Sequence, residues 1–318
     1  RHLFKKIRRK TLRCVEWLVV RFAISIVPRL SRRAELRLAR LIGRIMSGPA
    51  GRKNERVAMA NMDIVYGDSK TAAEKKELYR RQNEHAAIVL LDYFWFSRDT
   101  AERVSKYCSS GDARIEEWIA GDWPGFVLTA HIGNWELGGQ YVAWRGRAIS
   151  SVFRPLGTKL TMRSLLRFRN ATGQCAIPRK GAVIGIMRAL LGGGLVAMLL
   201  DQHADTRDGG IYLDFFGLPA AFSNALGLIS HKLGIPICPI SVIYDKGTDR
   251  YSIKSYGLIT SEDAKALAPE EITAKVVRFT EEMILDNPEQ WLWVYRRWKR
   301  FRLSDDPSRF PWYAILDI

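Results

Sequence analysis

The hydrophobic pattern changes period part-way along the chain. Up to about residue 110, apolar positions recur at helical spacing; from Phe126 onward, short apolar runs alternate with amphipathic stretches. In the first region, Val15 to Val27 is a largely apolar stretch interrupted by the charges of Glu16 and Arg21, and Val15, Val19, Phe22 and Ile26 share one helical face. Arg32 to Met46 repeats the pattern with Leu38, Leu41, Ile42 and Ile45, and Gly48, Pro49 and Gly51 then break it. Thr71 followed by Glu74 is a capping box that opens a long helix running to about Phe96. The aromatic end of that helix, Leu90 to Phe96, reads either as core or as a greasy surface.

In the second region, a wholly apolar run ends at Ala130-His131-Ile132-Gly133-Asn134-Trp135-Glu136. Ala148 to Phe153 reads as a strand, Leu160 to Asn170 as a basic helix, and Ala182 to Leu191 as a helix stopped by Gly192 to Gly194. Leu195 to Leu200 is a buried strand, Phe222 to Leu233 a helix capped by Gly234, and Ile235 to Tyr244 and Tyr251 to Tyr256 strands. Glu270 to Leu285 is a helix ended by Asn287-Pro288. This alternation predicts an α/β fold with a central, largely parallel sheet flanked by helices, preceded by a helical segment. The expected division is 1–30 as a membrane-anchoring helix and 31–318 as a single catalytic domain. Within that domain, 31–110 is a helical layer, 111–302 the α/β core and 303–318 a tail.

Charge narrows the partners. The chain has 318 residues, with 50 Lys and Arg against 33 Asp and Glu, a net charge of +17. That is too basic for a neutral metabolic enzyme of the cytosol and points to an anionic partner. Basic residues Lys5 to Arg13 precede the first apolar stretch, which is too short to span a bilayer unaided and lacks a small-residue cleavage site. A helix lying in the membrane interface, or a tilted one, is expected; the alternative is an amphipathic helix packed on the domain. The four cysteines, Cys14, Cys108, Cys175 and Cys238, are widely spaced and suggest neither zinc nor a disulfide framework.

Candidate chemistry gathers where the apolar runs end, because ligands of open α/β sheets bind at the carboxyl ends of the strands. The first run ends in His131, the second in Arg154-Pro155, and the third in Asp201-Gln202-His203. Asn134 is a good N-cap and places Glu136 in the first turn of the next helix. On one continuous helix His131 and Glu136 would sit about 140° apart, but a strand-to-helix turn can bring them face to face. Such a pair suits a base whose tautomer is held by a carboxylate. The same residues also fit a plain structural corner with a solvated His and Glu. Arg163, Arg167, Arg169, Arg179 and Lys180 lie between these strand ends and would make the crevice positive, although individually such arginines are more often a solvated helix face. The glycines at 192–194 lack the following Lys-Ser/Thr of a phosphate loop, no helical His pair marks a metal site, and no Gly-x-Ser-x-Gly elbow marks a serine nucleophile. The Trp- and Arg-rich segment Gln290 to Phe301 could stack bases or sit among lipid headgroups, and no recognised nucleic-acid module accompanies it.

His131-Ile-Gly-Asn-Trp-Glu136 resembles the His-x4-Glu/Asp signature of the lysophospholipid acyltransferase-like superfamily, in particular the late-stage bacterial lipid A biosynthesis acyltransferases. Val152-Phe153-Arg154-Pro155, Asp201-Gln202-His203 and Pro288-Glu289-Gln290-Trp291-Leu292-Trp293 through Arg296-Arg297-Trp298-Lys299 resemble further blocks of that family, in order, over roughly residues 10–302. The resemblance implies a glycerol-phosphate-acyltransferase-like fold on the cytoplasmic face of the inner membrane. It implies transfer of a fatty acyl chain from acyl carrier protein to a hydroxyl of a lipid A precursor, with no cofactor beyond the acyl carrier protein co-substrate. On this reading His131 is the general base oriented by Glu136, with backbone N–H groups of Gly133 or Asn134 available to an oxyanion. Arg154 is a candidate for binding the acceptor's phosphate or sugar acid or for stabilising developing negative charge. Asn134, Asp201, His203 and Arg167 are further candidates for binding substrate, and no metal or nucleic acid is involved. Asp201-Gln202-His203 departs from the more acidic form of its block, which leaves open another glycolipid or a phospholipid as acceptor. Two other classes also stay open: a non-catalytic basic protein binding membrane or nucleic acid, and a hydrolase using the His–Glu pair to activate water.

Overall fold

A computed structural model describes residues 16–153, 159–179 and 181–317. Five helices come first: α1 over 16–26, α2 (Arg32–Met46), α3 (Arg52–Tyr66), α4 (Ala72–Trp95) and α5 (Thr100–Tyr107). The Thr71 capping box forms as expected, with Thr71 Oγ1 accepting from Glu74 N–H and the Glu74 carboxylate accepting from Thr71 N–H. The aromatic end of α4 is core: Phe94, Trp95 and Phe96 are buried.

The main sheet has seven strands in the order β1 (Cys108–Ser110), β9 (Arg250–Ser255), β8 (Ile237–Asp245), β2 (Gly125–Thr129), β5 (Leu195–Leu199), β3 (Ile149–Phe153), β4 (Cys175–Pro178). Every pairing is parallel except β8 with β9, so the expected largely parallel sheet is present. Burial on both faces explains why β2 reads as an unbroken apolar run: all five of its residues are buried. The helices α6 (Ala113–Ala120), α7 (Trp135–Trp144), α8 (Lys159–Asn170), α9 (Ala182–Leu191), α10 (Ala225–Leu233), α11 (Ser261–Ala266) and α12 (Pro269–Asp286) flank it.

One element departs from the sequence-based expectation. Phe222 and Ser223 do not open a helix; they end β7 (Leu218–Ser223), which pairs antiparallel with β6 (Gly210–Phe215) in a separate hairpin. Phe215 and Phe222 of that hairpin pack into the core cluster holding Trp291, Trp293 and Trp298. A short pair, β10 (Arg300–Phe301) with β11 (Ile315–Leu316), closes the chain.

Of the stripe predicted on the first helix, Val15 lies outside the described residues and the rest, on α1, faces solvent. Trp17, Leu18, Val19, Phe22 and Ile26 are exposed, while Val20, Ala23 and Val27 pack on the protein. On α2, Leu41 and Ile45 are likewise exposed. No helix among the described residues is long and apolar enough to cross a membrane.

A buried ionic cluster joins the helical layer to the sheet. Arg32 of α2 pairs with Glu35 at 2.8 Å and with Asp92 of α4, and Asp92 also accepts from Tyr251 of β9. Burial pushes the Asp92 carboxyl up, while Arg32 and hydrogen bonds from Tyr251 and Asn134 pull it back. Through Asn134, this cluster reaches the turn that carries His131.

Candidate active site

Strands β2 and β5 lie side by side and parallel, with Thr129 opposite Leu199. Two residues beyond that matched pair stand His131 and Asp201, so the register itself brings them together. His131 Nδ1 lies 2.7 Å from Asp201 Oδ1, and the backbone N–H of His131 donates to Asp201 Oδ2 at 3.0 Å. Trp291 Nε1–H adds a second donor to Oδ2 at 2.9 Å. A carboxylate held by three donors is ionised and acceptor-only, so the imidazole must carry its proton on Nδ1 and expose a lone pair on Nε2. Gln202 Nε2 stands 3.2 Å from that second ring nitrogen, on the open side of the site.

The charges agree with this geometry. Burial alone would depress the His131 pKa; the charge and hydrogen bond of Asp201, with the charge of Glu136, outweigh it and raise the pKa above 6.5. For Asp201, burial pushes the carboxyl up, but His131 and the Trp291 and backbone donors hold it below the ordinary value. Arg297 is a further charge near Asp201. It is fully buried, donates from Nη1 to the carbonyl of Ala221 at 3.0 Å, and lies 3.9 Å over the Phe222 ring. Burial lowers its pKa to about 10, and the nearby Asp201 charge works against that fall.

The turn after His131 is built by close approach of backbones. Gly133 adopts φ +57°, and a Cβ there would meet the carbonyl oxygen of Val242 at 1.9 Å. That carbonyl instead accepts the Asn134 N–H at 2.8 Å, while Gly133 N–H donates to Gln290 O at 3.1 Å. Leu292 N–H returns a bond to His131 O at 3.1 Å, so the segment after α12 runs antiparallel against the turn. The Gln290 side chain pairs with both backbone groups of Tyr244, at 3.0 and 2.8 Å, which anchors that segment to β8.

The structure therefore corrects two expectations. The carboxylate on His131 Nδ1 is Asp201, not Glu136. Glu136 sits in the first turn of α7, as its position after the Asn134 N-cap implied, but its carboxylate is clasped by Arg169, with Nε to Oε2 at 2.9 Å. The backbone N–H groups of Gly133 and Asn134 are already committed and cannot serve an oxyanion without leaving Gln290 and Val242. Asn134 itself is buried, its Oδ1 capping Leu137 N–H and its Nδ2 reaching Asp92 at 3.3 Å, so its side chain holds the turn.

Of the other predicted residues, His203 is half-buried and donates its backbone N–H to Tyr295 Oη at 3.1 Å; burial and the charges of Arg297 and Lys299 lower its pKa. Arg167 is exposed on α8, beside Arg163, Leu166, Asn170 and Ala171 along an open pocket. Arg169 is buried and paired with the partly buried Glu136, and Arg179 lies 3.9 Å from Asp208. Arg154 and Lys180 lie outside the described residues. The Trp-rich C-terminal segment is not a surface for bases or headgroups: Trp291, Trp293 and Trp298 are fully buried, and Trp291 buttresses Asp201. No group of three or more His, Cys, Asp or Glu side chains among the described residues is placed to hold a metal ion.

A model of the family described as bacterial lipid A biosynthesis acyltransferase matches residues 2–300. The chain belongs to this family, and it is an acyltransferase. Similar proteins include the lipid A biosynthesis palmitoleoyltransferase of Escherichia coli (strain K12), 24% identical over 261 residues that cover 80% of this chain and 81% of the relative. The lipid A biosynthesis acyltransferase of Shigella flexneri is similar to the same extent, at 24% identity over 261 residues, 80% of this chain and 81% of the relative. The paired His131 and Asp201 thus stand in an acyltransferase, at the strand ends where an α/β sheet offers its site.

Proposed function

We propose that this enzyme transfers a fatty acyl chain from acyl carrier protein to a hydroxyl of a lipid A precursor, with His131 as general base. The observation that carries the reading is the His131–Asp201 pair: Nδ1 is pinned at 2.7 Å, and Nε2 is left as the proton acceptor. The acceptor hydroxyl gives its proton to Nε2 as its oxygen attacks the thioester carbonyl carbon, and the carbonyl electron pair moves onto oxygen. Collapse of the tetrahedral species expels the thiolate, which takes the proton back from Nε2. Atoms and charge balance with no acyl-enzyme and no further cofactor. General base catalysis of this kind contributes about 10² to 10⁴ in rate.

Asp201, rather than Glu136, is the residue that orients the base and stabilises the imidazolium. Glu136 acts through charge: it supports the raised His131 pKa and holds Arg169 close to the site. His203 and Arg167 are the polar groups best placed by sequence position and exposure to meet an anionic acceptor. The net charge of +17 suits both acyl carrier protein and a phosphorylated lipid.

The protein works at a membrane surface, the cytoplasmic face of the inner membrane. The exposed apolar side chains of α1 and α2 support this, as does the Arg21 guanidinium stacked 5.3 Å over Trp17, a pairing that suits the headgroup boundary. Mass spectrometry tests the proposal. Purified protein, acyl–acyl carrier protein and a Kdo-bearing lipid A precursor should yield a product heavier by one acyl chain. Free fatty acid released at the same rate with and without the lipid would point instead to a hydrolase.

A further inference from the structure

We propose that Gln202 is a catalytic residue, the hydrogen-bond donor to the oxyanion that develops during acyl transfer. The proposal rests on the reading of His131 as the base. With Nδ1–H committed to Asp201, the lone pair at Nε2 requires a donor facing it, so the Gln202 group 3.2 Å away is the NH₂ edge of the amide. The acceptor hydroxyl must occupy that same place, about 2.6–3.2 Å from Nε2, to be deprotonated. Gln202 is therefore a placeholder for the hydroxyl. When the hydroxyl arrives, the amide is displaced onto the side where the thioester carbonyl oxygen gains its charge.

Its backbone is fixed although its side chain is exposed. On one side, Asp201 is locked by His131 and Trp291; on the other, His203 N–H is tied to Tyr295 at 3.1 Å. An adaptable amide on an anchored backbone can swing from Nε2 to the oxyanion without carrying its strand along.

Among the described residues, the backbone donors of the turn are spent. The N–H groups of His131, Gly133 and Asn134 donate to Asp201 Oδ2, Gln290 O and Val242 O at 3.0, 3.1 and 2.8 Å. Arg169, bound to Glu136 through Nε and Nη2, and Arg297 are both buried, whereas the Gln202 side chain is exposed at the open side of the site. The sequence names Gln202 within its motif, but only the position of His131 Nε2 shows what the amide can do.

The test is steady-state acyl transfer by Gln202→Met, which keeps length but removes the donor, and by Gln202→Ala, with His131→Ala measured alongside. Both Gln202 variants should lose roughly 10²–10³-fold in kcat, with KM within about threefold of the parent and an unchanged melting temperature. A kcat within about threefold of the parent in Gln202→Met, a loss confined to KM, or a faster rate expected of a mere placeholder would each overturn the proposal. In all of these His131→Ala must be inactive; if it too keeps full activity, the assignment of the base has failed, and the role of Gln202 with it.

Discussion

Asp201→Asn is the most informative single change, because the surrounding donors dictate what an amide would do there. Oδ2 of Asp201 receives two N–H groups, from His131 backbone at 3.0 Å and Trp291 at 2.9 Å, and neither donor can turn away. An asparagine must therefore keep its carbonyl oxygen at that position and place its NH₂ at the other, facing His131 Nδ1. The imidazole answers with a lone pair on Nδ1 and its proton on Nε2, the reverse of what a base at Nε2 needs. The variant should stay folded, since every donor keeps an acceptor. In a serine-protease triad the equivalent wrong-tautomer substitution costs about 10⁴ in kcat. Solvent access at His131 lets the minor tautomer contribute, so a loss of about 10³–10⁴-fold is expected, about 4–5.5 kcal/mol of barrier at 1.36 kcal/mol per tenfold. Acyl transfer under single-turnover conditions reads the chemical step directly. A rate within about tenfold of the parent would refute the argument that Asp201 sets the tautomer.

Other consequences are checked more simply. His131 works as a base only when neutral, and its pKa is raised above 6.5, so kcat/KM should fall as pH drops through a limb lying above pH 6.5. Glu136→Gln removes a charge that supports that rise and should move the limb to lower pH; the same variant strands buried Arg169 and should lose about 3–5 kcal/mol of stability by denaturant titration. Gly133→Ala drives a methyl group into the Val242 carbonyl, 1.9 Å from the Cβ position, at a φ of +57°; a loss of about 2–5 kcal/mol in unfolding free energy is expected. Phe22→Glu with Ile45→Glu, both on exposed positions, should leave melting unchanged and weaken binding to anionic vesicles about tenfold or more in a sedimentation assay.

The parallel core was legible because burial on both faces makes such strands read as continuous apolar runs. Thr71 with Glu74, and Asn134 ahead of Glu136, announced two helix starts through local chemistry alone. The hairpin β6–β7 was not legible: Ala220-Ala221-Phe222 has no alternation, since its burial comes from the distant Trp cluster. The same limit governs the site. Both His131 and Asp201 were recognisable as strand-end residues, yet their pairing depends on β2 and β5 being neighbours with Thr129 opposite Leu199. Sequence proximity favoured Glu136, five positions from His131; spatial register favours Asp201, seventy positions away. The donors of Gly133 and Asn134 looked free because their acceptors, Gln290 O and Val242 O, lie far along the chain. The Trp-rich segment looked like a surface because cations interleave its rings, but Trp291 and Trp293 point inward on either side of Leu292, while Arg296 and Lys299 reach solvent to differing degrees.

A double-mutant cycle on kcat/KM for acyl transfer tests the dyad most directly, using His131→Asn, Asp201→Asn and both together. If His131 is the base and Asp201 acts only through it, His131→Asn falls to background, and adding Asp201→Asn costs nothing more. Two losses that multiply in the double variant, or a His131→Asn enzyme that still transfers acyl chains at the parent rate, would contradict the account.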